Sequence, residues 1–302
     1  MTATPTSQPA DPRQKVVAIL VNPTAGSRPG GEAVRELVEA LRGEGFEPLV
    51  CGEREDLTAA VGDYGPDLRC VVAAGGDGTL AEVLNRAPGL PVAVLPLGNE
   101  NLVARYFRLG RSGRLLAETI ARGRVRRLDL ARAGDRLFSV MAGVGFDAEV
   151  VHHLHRGRRG QISKLNYARP MLHAWTSYTF PVIEVAIEET GERLRGATVF
   201  VFNLPRYALG IPIAPRARAD DGLLDLCVCE RPGRRHLLRY LWSCLRGRHE
   251  RLPDYHRRLV RRVRLTSEDP VPLQTDGDPA GSLPAMIEVV PGALTLLVPS
   301  EG

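Results

Sequence analysis

Lysine is almost missing from this chain. Of its 40 Lys and Arg residues, only Lys15 and Lys164 are lysines. A P-loop needs a lysine beside its Ser or Thr, and a protein kinase needs one on a strand. Neither arrangement occurs, so any phosphate must be held by backbone N–H groups, arginines or a metal. Aromatic residues make up 5% of the chain, and no nucleic-acid recognition motif accompanies them, so no nucleic-acid partner is expected. No apolar run reaches the roughly 18 residues that read as a membrane span. The five cysteines, Cys51, Cys70, Cys227, Cys229 and Cys244, are too few and too scattered for a disulfide framework. A reduced, cytoplasmic setting follows as the expectation. Cys227 and Cys229, in a strand pattern, are expected on opposite sides, a poor metal pair. Residues 1–15 are rich in Pro, Thr and Ala and lack an apolar segment. They read as a disordered tail rather than a signal peptide.

What is present suits a globular protein of two domains: 302 residues, 44% hydrophobic, 25% charged, net charge +5. From residue 16, short apolar runs alternate with helical spacing. Strands are expected at 16–21, 46–51, 69–74 and 92–96, and helices at 32–41, 57–61 and 79–85. That alternation predicts a parallel sheet with helices on both faces, with ligands at the loops after the carboxyl ends of the strands. Beyond about residue 125 the pattern changes to short alternating runs at 127–133, 137–142, 182–187, 197–203, 223–229, 259–265, 286–290 and 293–298. These predict a mostly antiparallel, sandwich-like second domain. Helices are expected at 164–177 and 235–245. The boundaries expected are 16–127 for an α/β nucleotide-binding domain, to which 292–302 return, and 128–291 for the β-rich domain.

The chemistry concentrates at Gly75-Gly76-Asp77-Gly78-Thr79, where a strand stops and a helix starts. Glycines let a backbone approach a bulky anion and permit positive φ. A helix beginning at about Thr79 turns its free N–H groups towards whatever occupies the loop. Asp77 beside a phosphate needs a cation between them, and Mg²⁺ takes carboxylate and phosphate oxygens. Thr79 could cap the helix or bond a phosphate. Asn22-Pro23-Thr24-Ala25-Gly26 and Pro96-Leu97-Gly98-Asn99-Glu100-Asn101 follow the first and fourth strands and fall on the same sheet edge.

With those loops, the sequence resembles the diacylglycerol kinase catalytic fold of bacterial lipid kinases and sphingosine kinases. The resemblance runs nearly the whole length from Val16. It continues through Glu82, Asn85, Ala104 and Arg105, through Gly143-Val144-Gly145-Phe146-Asp147-Ala148, through residues 217–226, and through Asp276-Gly277-Asp278. It departs at Asn99, where the family usually has Thr or Ser, at Leu102, where many members have Asp, and at Asp278, which replaces Glu.

The resemblance implies ATP-dependent phosphorylation of a lipid hydroxyl. It implies nucleotide contacts from Asn22, Pro23, Thr24, Ala25 and Gly26, from Cys51, from Gly75 to Thr79 and on through Leu80, Ala81 and Glu82, and from Asn99. It implies a Mg²⁺ held by the Asp221 side chain and the carbonyls of Arg218 and Leu223. It implies Asp276 as proton acceptor, in a cleft between the domains. An Asp-Gly pair is equally a hairpin turn. A peripheral, cytoplasmic enzyme acting on lipid at a membrane surface is expected, and a homodimer is compatible with it. A kinase of a soluble substrate such as NAD, and a non-catalytic lipid- or nucleotide-binding protein, remain the alternatives.

Three further stretches invite milder readings. His152, His153 and His155, beside Arg156, Arg158 and Arg159, are expected on a solvated basic face rather than at a metal. Residues 237–245 are expected as one face of a core-packed helix, with a basic amphipathic helix resting on anionic lipid as the other reading. The arginines of 257–264 are expected to serve lipid electrostatically.

Overall fold

The structure is a computed structural model, and it describes residues 6–7, 14–22, 29–156 and 175–299. The expected loop 23–26, most of the expected tail and most of the expected helix 164–177 lie outside the described residues. The chain divides into two compact units, residues 1–129 with 291–302, and residues 130–290.

The first unit is built on four parallel strands: β2 (Val16–Val21), β3 (Glu47–Cys51), β4 (Leu68–Gly75) and β5 (Val92–Pro96). They lie in the order β5-β4-β2-β3. Registers of Leu20 with Cys51, Val21 with Ala74, and Gly75 with Pro96 bring all four carboxyl ends to one edge. Strands β2, β4 and β5 are almost continuously apolar because both faces are covered, whereas β3, at the edge, is largely exposed. Val17, Ile19, Cys70, Val72, Ala93 and Leu95 pack under Leu37 and Leu41 of α1 (Pro29–Gly43) and Ala117 and Ile120 of α5 (Gly113–Arg122). The other face meets α2 (Arg54–Tyr64) and α3 (Asp77–Arg86). Helix α5, absent from the sequence expectations, fits against α1 at a glycine. A Cβ on Gly113 would stand 2.3 Å from the Ala33 carbonyl oxygen and 2.4 Å from the Leu37 nitrogen. A short helix, α4 (Leu102–Tyr106), follows β5. Within the expected tail, Thr6–Ser7, β1, pairs antiparallel with β6 (Arg124–Ala133).

The second unit is a sandwich. One sheet has the order β13-β12-β11-β8-β15-β16 and is antiparallel throughout. Its strands are β8 (Met141–Gly145), β11 (Thr198–Phe202), β12 (Leu224–Cys229), β13 (Tyr255–Val260), β15 (Pro272–Thr275) and β16 (Asp278–Ser282). The other sheet has β9 (Ile183–Ile187), β10 (Arg193–Gly196), β14 (Arg262–Thr266) and the first part of β17 (Ala285–Leu297). Val144, Val199, Val201, Leu224, Leu226 and Leu273 meet Ile183, Val185, Val263, Leu265 and Ile287 in one core. The short strand β7 is Arg136–Phe138, and α6 (Phe146–Arg156) lies against β15 and β16. Helix α7 is Arg234–Leu245.

Several expectations need correction. The runs 286–290 and 293–298 are one strand, β17, whereas 259–265 is the end of β13 and the start of β14. Cys227 and Cys229 do not face opposite sides. Positions two apart on a strand share a face, and both thiols are buried on the side away from Leu226 and Val228. Burial pushes the Cys227 thiol up to about 12. The histidines of α6 are half-buried rather than solvated. His152 contacts the Leu273 carbonyl at 2.9 Å, His153 pairs with Glu149 at 2.8 Å and His155 with Asp278 at 3.2 Å. Helix α7 is not core-packed along its length: Tyr240 and Cys244 are buried, but Leu238, Leu241, Trp242 and Leu245 are exposed. The arginines of 257–264 are largely neutralised. Arg257 pairs with Asp225, Arg258 with Glu192, Arg262 with Glu288 and Arg264 with Glu188.

Candidate functional site

In the first unit, the loops after β4 and β5 are locked together by their glycines. A Cβ on Gly98 would sit 2.5 Å from the Gly76 Cα, and one on Gly75 would sit 2.1 Å from Thr79 Oγ1. Glycine is therefore required for backbone packing. None of Gly75, Gly76 and Gly78 uses positive φ, which corrects that part of the expectation. Gly78 alone faces open space, in the first turn of α3.

The helix starts at Asp77, two residues earlier than expected, with Gly76 as its N-cap. Thr79 is thus not the cap; its N–H donates to the Gly76 carbonyl at 3.0 Å and its side chain is buried. Asp77 Oδ1 accepts from the Val103 N–H at 3.3 Å and ties the loop to α4. Asn101, buried with φ +48°, closes the second loop. Its Nδ2 donates to the Gly98 carbonyl at 2.6 Å and its Oδ1 accepts from the Gly98 N–H at 3.0 Å.

The other expected nucleotide residues sit along this edge. The Asn22 N–H donates to the Ala74 carbonyl at 3.2 Å. Cys51 ends β3, buried, and burial raises its thiol pKa, with Asp56 adding to the rise. Leu80 and Ala81 are buried on α3. Glu82 is held between Arg54 at 3.3 Å and Arg86 at 3.1 Å. Asn99 is exposed at the tip of its turn.

In the second unit, Asp276-Gly277 is the two-residue turn between β15 and β16, with φ of +49° and +85°. Both signs are those of a type I′ turn. The carboxylate of Asp276 lies in a cradle of amides. Oδ2 accepts from the Ser139 N–H at 2.7 Å and its hydroxyl at 3.0 Å; Oδ1 accepts from the N–H groups of Val140 at 2.9 Å and Met141 at 3.0 Å. Enclosure of the carboxylate raises its pKa, and these bonds oppose the rise. Asp278, on the same turn, takes Arg136 on Oδ2 at 2.9 Å and His155 on Oδ1 at 3.2 Å. Next to them Asp147 is half-buried, accepting from Gln274 Nε2 at 2.7 Å and from the Tyr207 hydroxyl. Burial raises its pKa too, against those two bonds.

Sequence reasoning did not single out Ser139, Arg136, His155 or Gln274 as partners here. All four reach these carboxylates from other elements.

The expected metal residues lie on the turn before β12. Asp221 is exposed and Oδ1 accepts from the Leu223 N–H at 3.1 Å, while Arg218 turns its guanidinium onto Asp220 at 3.1 Å. Burial raises the pKa of the Asp225 carboxyl, Arg257 opposes the rise, and Asp221 and Glu250 add to it. Among the described residues no cluster of three or more His, Cys, Asp or Glu side chains is arranged for a metal.

Comparison with known proteins agrees with this architecture. Residues 16–133 match the diacylglycerol kinase catalytic domain, and residues 139–298 match the YegS C-terminal NAD kinase beta sandwich-like domain. The chain belongs to the diacylglycerol kinase catalytic-domain family. Within that family it is 29% identical to a diacylglycerol kinase of Mycobacterium tuberculosis, over 95% of this chain and 96% of that one. It is 25% identical to a diacylglycerol kinase of Bacillus subtilis, over 95% and 97%. A solved diacylglycerol kinase structure from Bacillus anthracis str. Sterne shares the fold, with a TM-score of 0.69 at 22% identity over 94% and 97% of the two chains. Membership makes this chain a kinase, a phosphotransferase with an alcohol acceptor and ATP as phosphoryl donor. No helix among the described residues is long and apolar enough to cross a membrane.

Proposed function

We propose that the chain transfers the γ-phosphate of ATP to the hydroxyl of a diacylglycerol-like lipid, as a peripheral enzyme. The observation that carries this reading is the edge of the parallel sheet, where the locked Gly76 and Gly98 loops meet the open first turn of α3. There the helix amides face outward and suit an anion, in a chain with no P-loop lysine. The loop after β2, Cys51, the segment from Gly75 to Glu82, and Asn99 would line the nucleotide.

Phosphoryl transfer spreads charge over the moving oxygens, so catalysis is chiefly positioning and electrostatics. The attacking alcohol must also lose its proton, and the Asp276 carboxylate, with a pKa raised by enclosure, would accept it. The oxygen donors at Asp221, Arg218 and Leu223, one carboxylate and two backbone carbonyls, fit Mg²⁺ in kind. Such an ion, when bound, would offset negative charge and order this turn.

A second reading has one observation behind it. The four acceptor positions of Asp276 are filled by Ser139, Val140 and Met141, whereas Asp278 meets the titratable side chains of Arg136 and His155. On that reading Asp276 fixes the turn and Asp278 takes the proton.

The test is transfer of label from γ-labelled ATP into a lipid panel in detergent micelles with Mg²⁺, with NAD alongside. Asp276→Asn and Asp278→Asn are compared with the parent. The variant that serves as base should lose on the order of 10²-fold or more in kcat. If Asp276→Asn keeps its rate, Asp276 is not the base. Label entering NAD and no lipid would overturn the lipid reading.

A further inference from the structure

Helix α7 is amphipathic in an unusual sense, because its apolar residues lie on both faces. The inner face is anchored. Tyr240 and Cys244 are buried, and the Tyr240 hydroxyl donates to Asp254 Oδ2 at 2.8 Å. Asp254 also pairs with Arg239 and, at 3.3 Å, with Arg231. Leu237 packs with Trp175 and Tyr178 against Phe146. Arg234 donates to the carbonyls of Trp175 and Thr176. These contacts hold the helix in one orientation.

The outer face carries Leu238, Leu241, Trp242 and Leu245, exposed by 52, 43, 56 and 57%. Their spacing of i, i+3, i+4 and i+7 places them in one stripe opposite Tyr240. Large apolar side chains in such a contiguous row mark an interaction surface, not scattered surface leucines. The charge around the stripe is of one sign. Helix α7 contains no acid, and Arg235, Arg246 and Arg248 are exposed without an ion-pair partner among the described residues. The arginines of 257–264 behave differently, being mostly matched to acids. Arg246 lies over the Trp242 ring, 4.2 Å from its centroid, so that an aromatic side chain and a cation are presented together.

From this we infer that the outer face of α7 is the surface by which the protein docks on an anionic phospholipid bilayer. The leucines and Trp242 would enter the boundary between headgroups and acyl chains, and Arg235, Arg246 and Arg248 would meet lipid phosphates. Anionic lipid fits better than a protein groove. A row of exposed leucines with an indole suits an interface that is apolar on one side and wet on the other, and the bordering charge is all positive. The inference rests on the proposed lipid substrate for its purpose, but its test does not.

The experiment is co-sedimentation of the full chain, without ATP, with vesicles of phosphatidylglycerol mixed with phosphatidylcholine and with vesicles of phosphatidylcholine alone. Two variants accompany it: Leu238→Gln with Leu241→Gln and Trp242→Gln, and Arg235→Gln with Arg246→Gln. The parent should bind the mixed vesicles more strongly. The apolar variant should lose at least about tenfold in partitioning to both. The arginine variant should lose on the order of tenfold or more to the mixed vesicles only. Unfolding midpoints and kcat on a short-chain diacylglycerol in detergent should stay at parent values in both variants. Equal partitioning of all three proteins would overturn the inference. So would a parent that ignores vesicles, or an apolar variant whose only change is loss of self-association in sedimentation velocity. Lost partitioning in a protein that labels no lipid would leave the docking face standing and remove the substrate reading.

Discussion

At Gly98 the backbones of two loops come so close that a single methyl has nowhere to go. The nearest obstacle is the Gly76 Cα, 2.5 Å away, which cannot rotate aside, and Asn101 Oδ1 follows at 2.9 Å. Gly98→Ala should therefore cost roughly 1–3 kcal/mol and weaken nucleotide binding, because it pries apart the loops that would line the nucleotide. Thermal unfolding and ATP titration check both effects; unchanged ATP affinity with lowered stability would separate packing from binding. Asp147 makes a pH prediction. Its native carboxyl keeps its proton to higher pH than the ordinary 3.8, mainly through burial. Between the unfolded and native pKa values the native state binds more protons, so stability falls as pH rises through that window and is level above it. Asp147→Asn should make that slope shallower in urea midpoints measured from pH 4 upward, the raised carboxyls of Asp225 and Asp276 supplying the remainder. Of the residues that carry the site, the sequence disclosed those within short motifs. It concealed Ser139, which reaches Asp276 across 137 positions, because no local spacing encodes such a contact.

Among the elements, α1 and α5 show how a helix escapes notice. Helix α5 is short, and the glycine that opens it reads as a break. In the fold that glycine is the point of closest approach to α1, and the Glu36 carboxylate accepts from its N–H at 2.9 Å and from the Ser112 hydroxyl at 3.3 Å. Gly113→Leu should destabilise the first unit by about 2–4 kcal/mol or prevent its folding, since the atoms in the way are backbone. Glu36→Ala, which removes only the polar contacts, should cost about 1 kcal/mol. Chemical denaturation of the two variants ranks them; a reversed order would mean that the polar contacts, rather than the close approach, hold α5 in place. Helix α7 shows the opposite difficulty. Its pattern was plain, but a stripe of leucines has the same spacing whether it meets a core or solvent.

For the molecule as a whole, the last strand matters more than its position suggests. β17 starts in the second unit and ends in the first, where Leu296 registers with Val92 of β5 and the Val298 N–H donates to the Arg124 carbonyl at 3.0 Å. Leu294, Leu296 and Leu297 are buried by 97% or more of their surface, at exposures of 3, 0 and 2%. Removing residues 291–302 should cost the first unit several kcal/mol, at ~1.5–3 kcal/mol for each buried leucine. ATP binding should fall with it, although no residue proposed to touch nucleotide is deleted. Limited proteolysis checks the prediction: cleavage should appear in the first unit, and an unchanged digest would refute it.

The sequence by itself determined the architecture and the loops at which chemistry is proposed. Unbroken apolar strands followed by helices leave few alternatives to a parallel sheet, and alternating runs leave few to an antiparallel one. Glycine-rich junctions then mark where backbone must come close. Only the tertiary structure decided what the glycines pack against, how the Asp276 carboxylate is enclosed, which arginines are neutralised and which face of α7 is bare. Those are properties of atoms brought together from distant positions. Periodicity records that a side chain prefers to leave water, and it does not record whether anything in the fold is there to receive it.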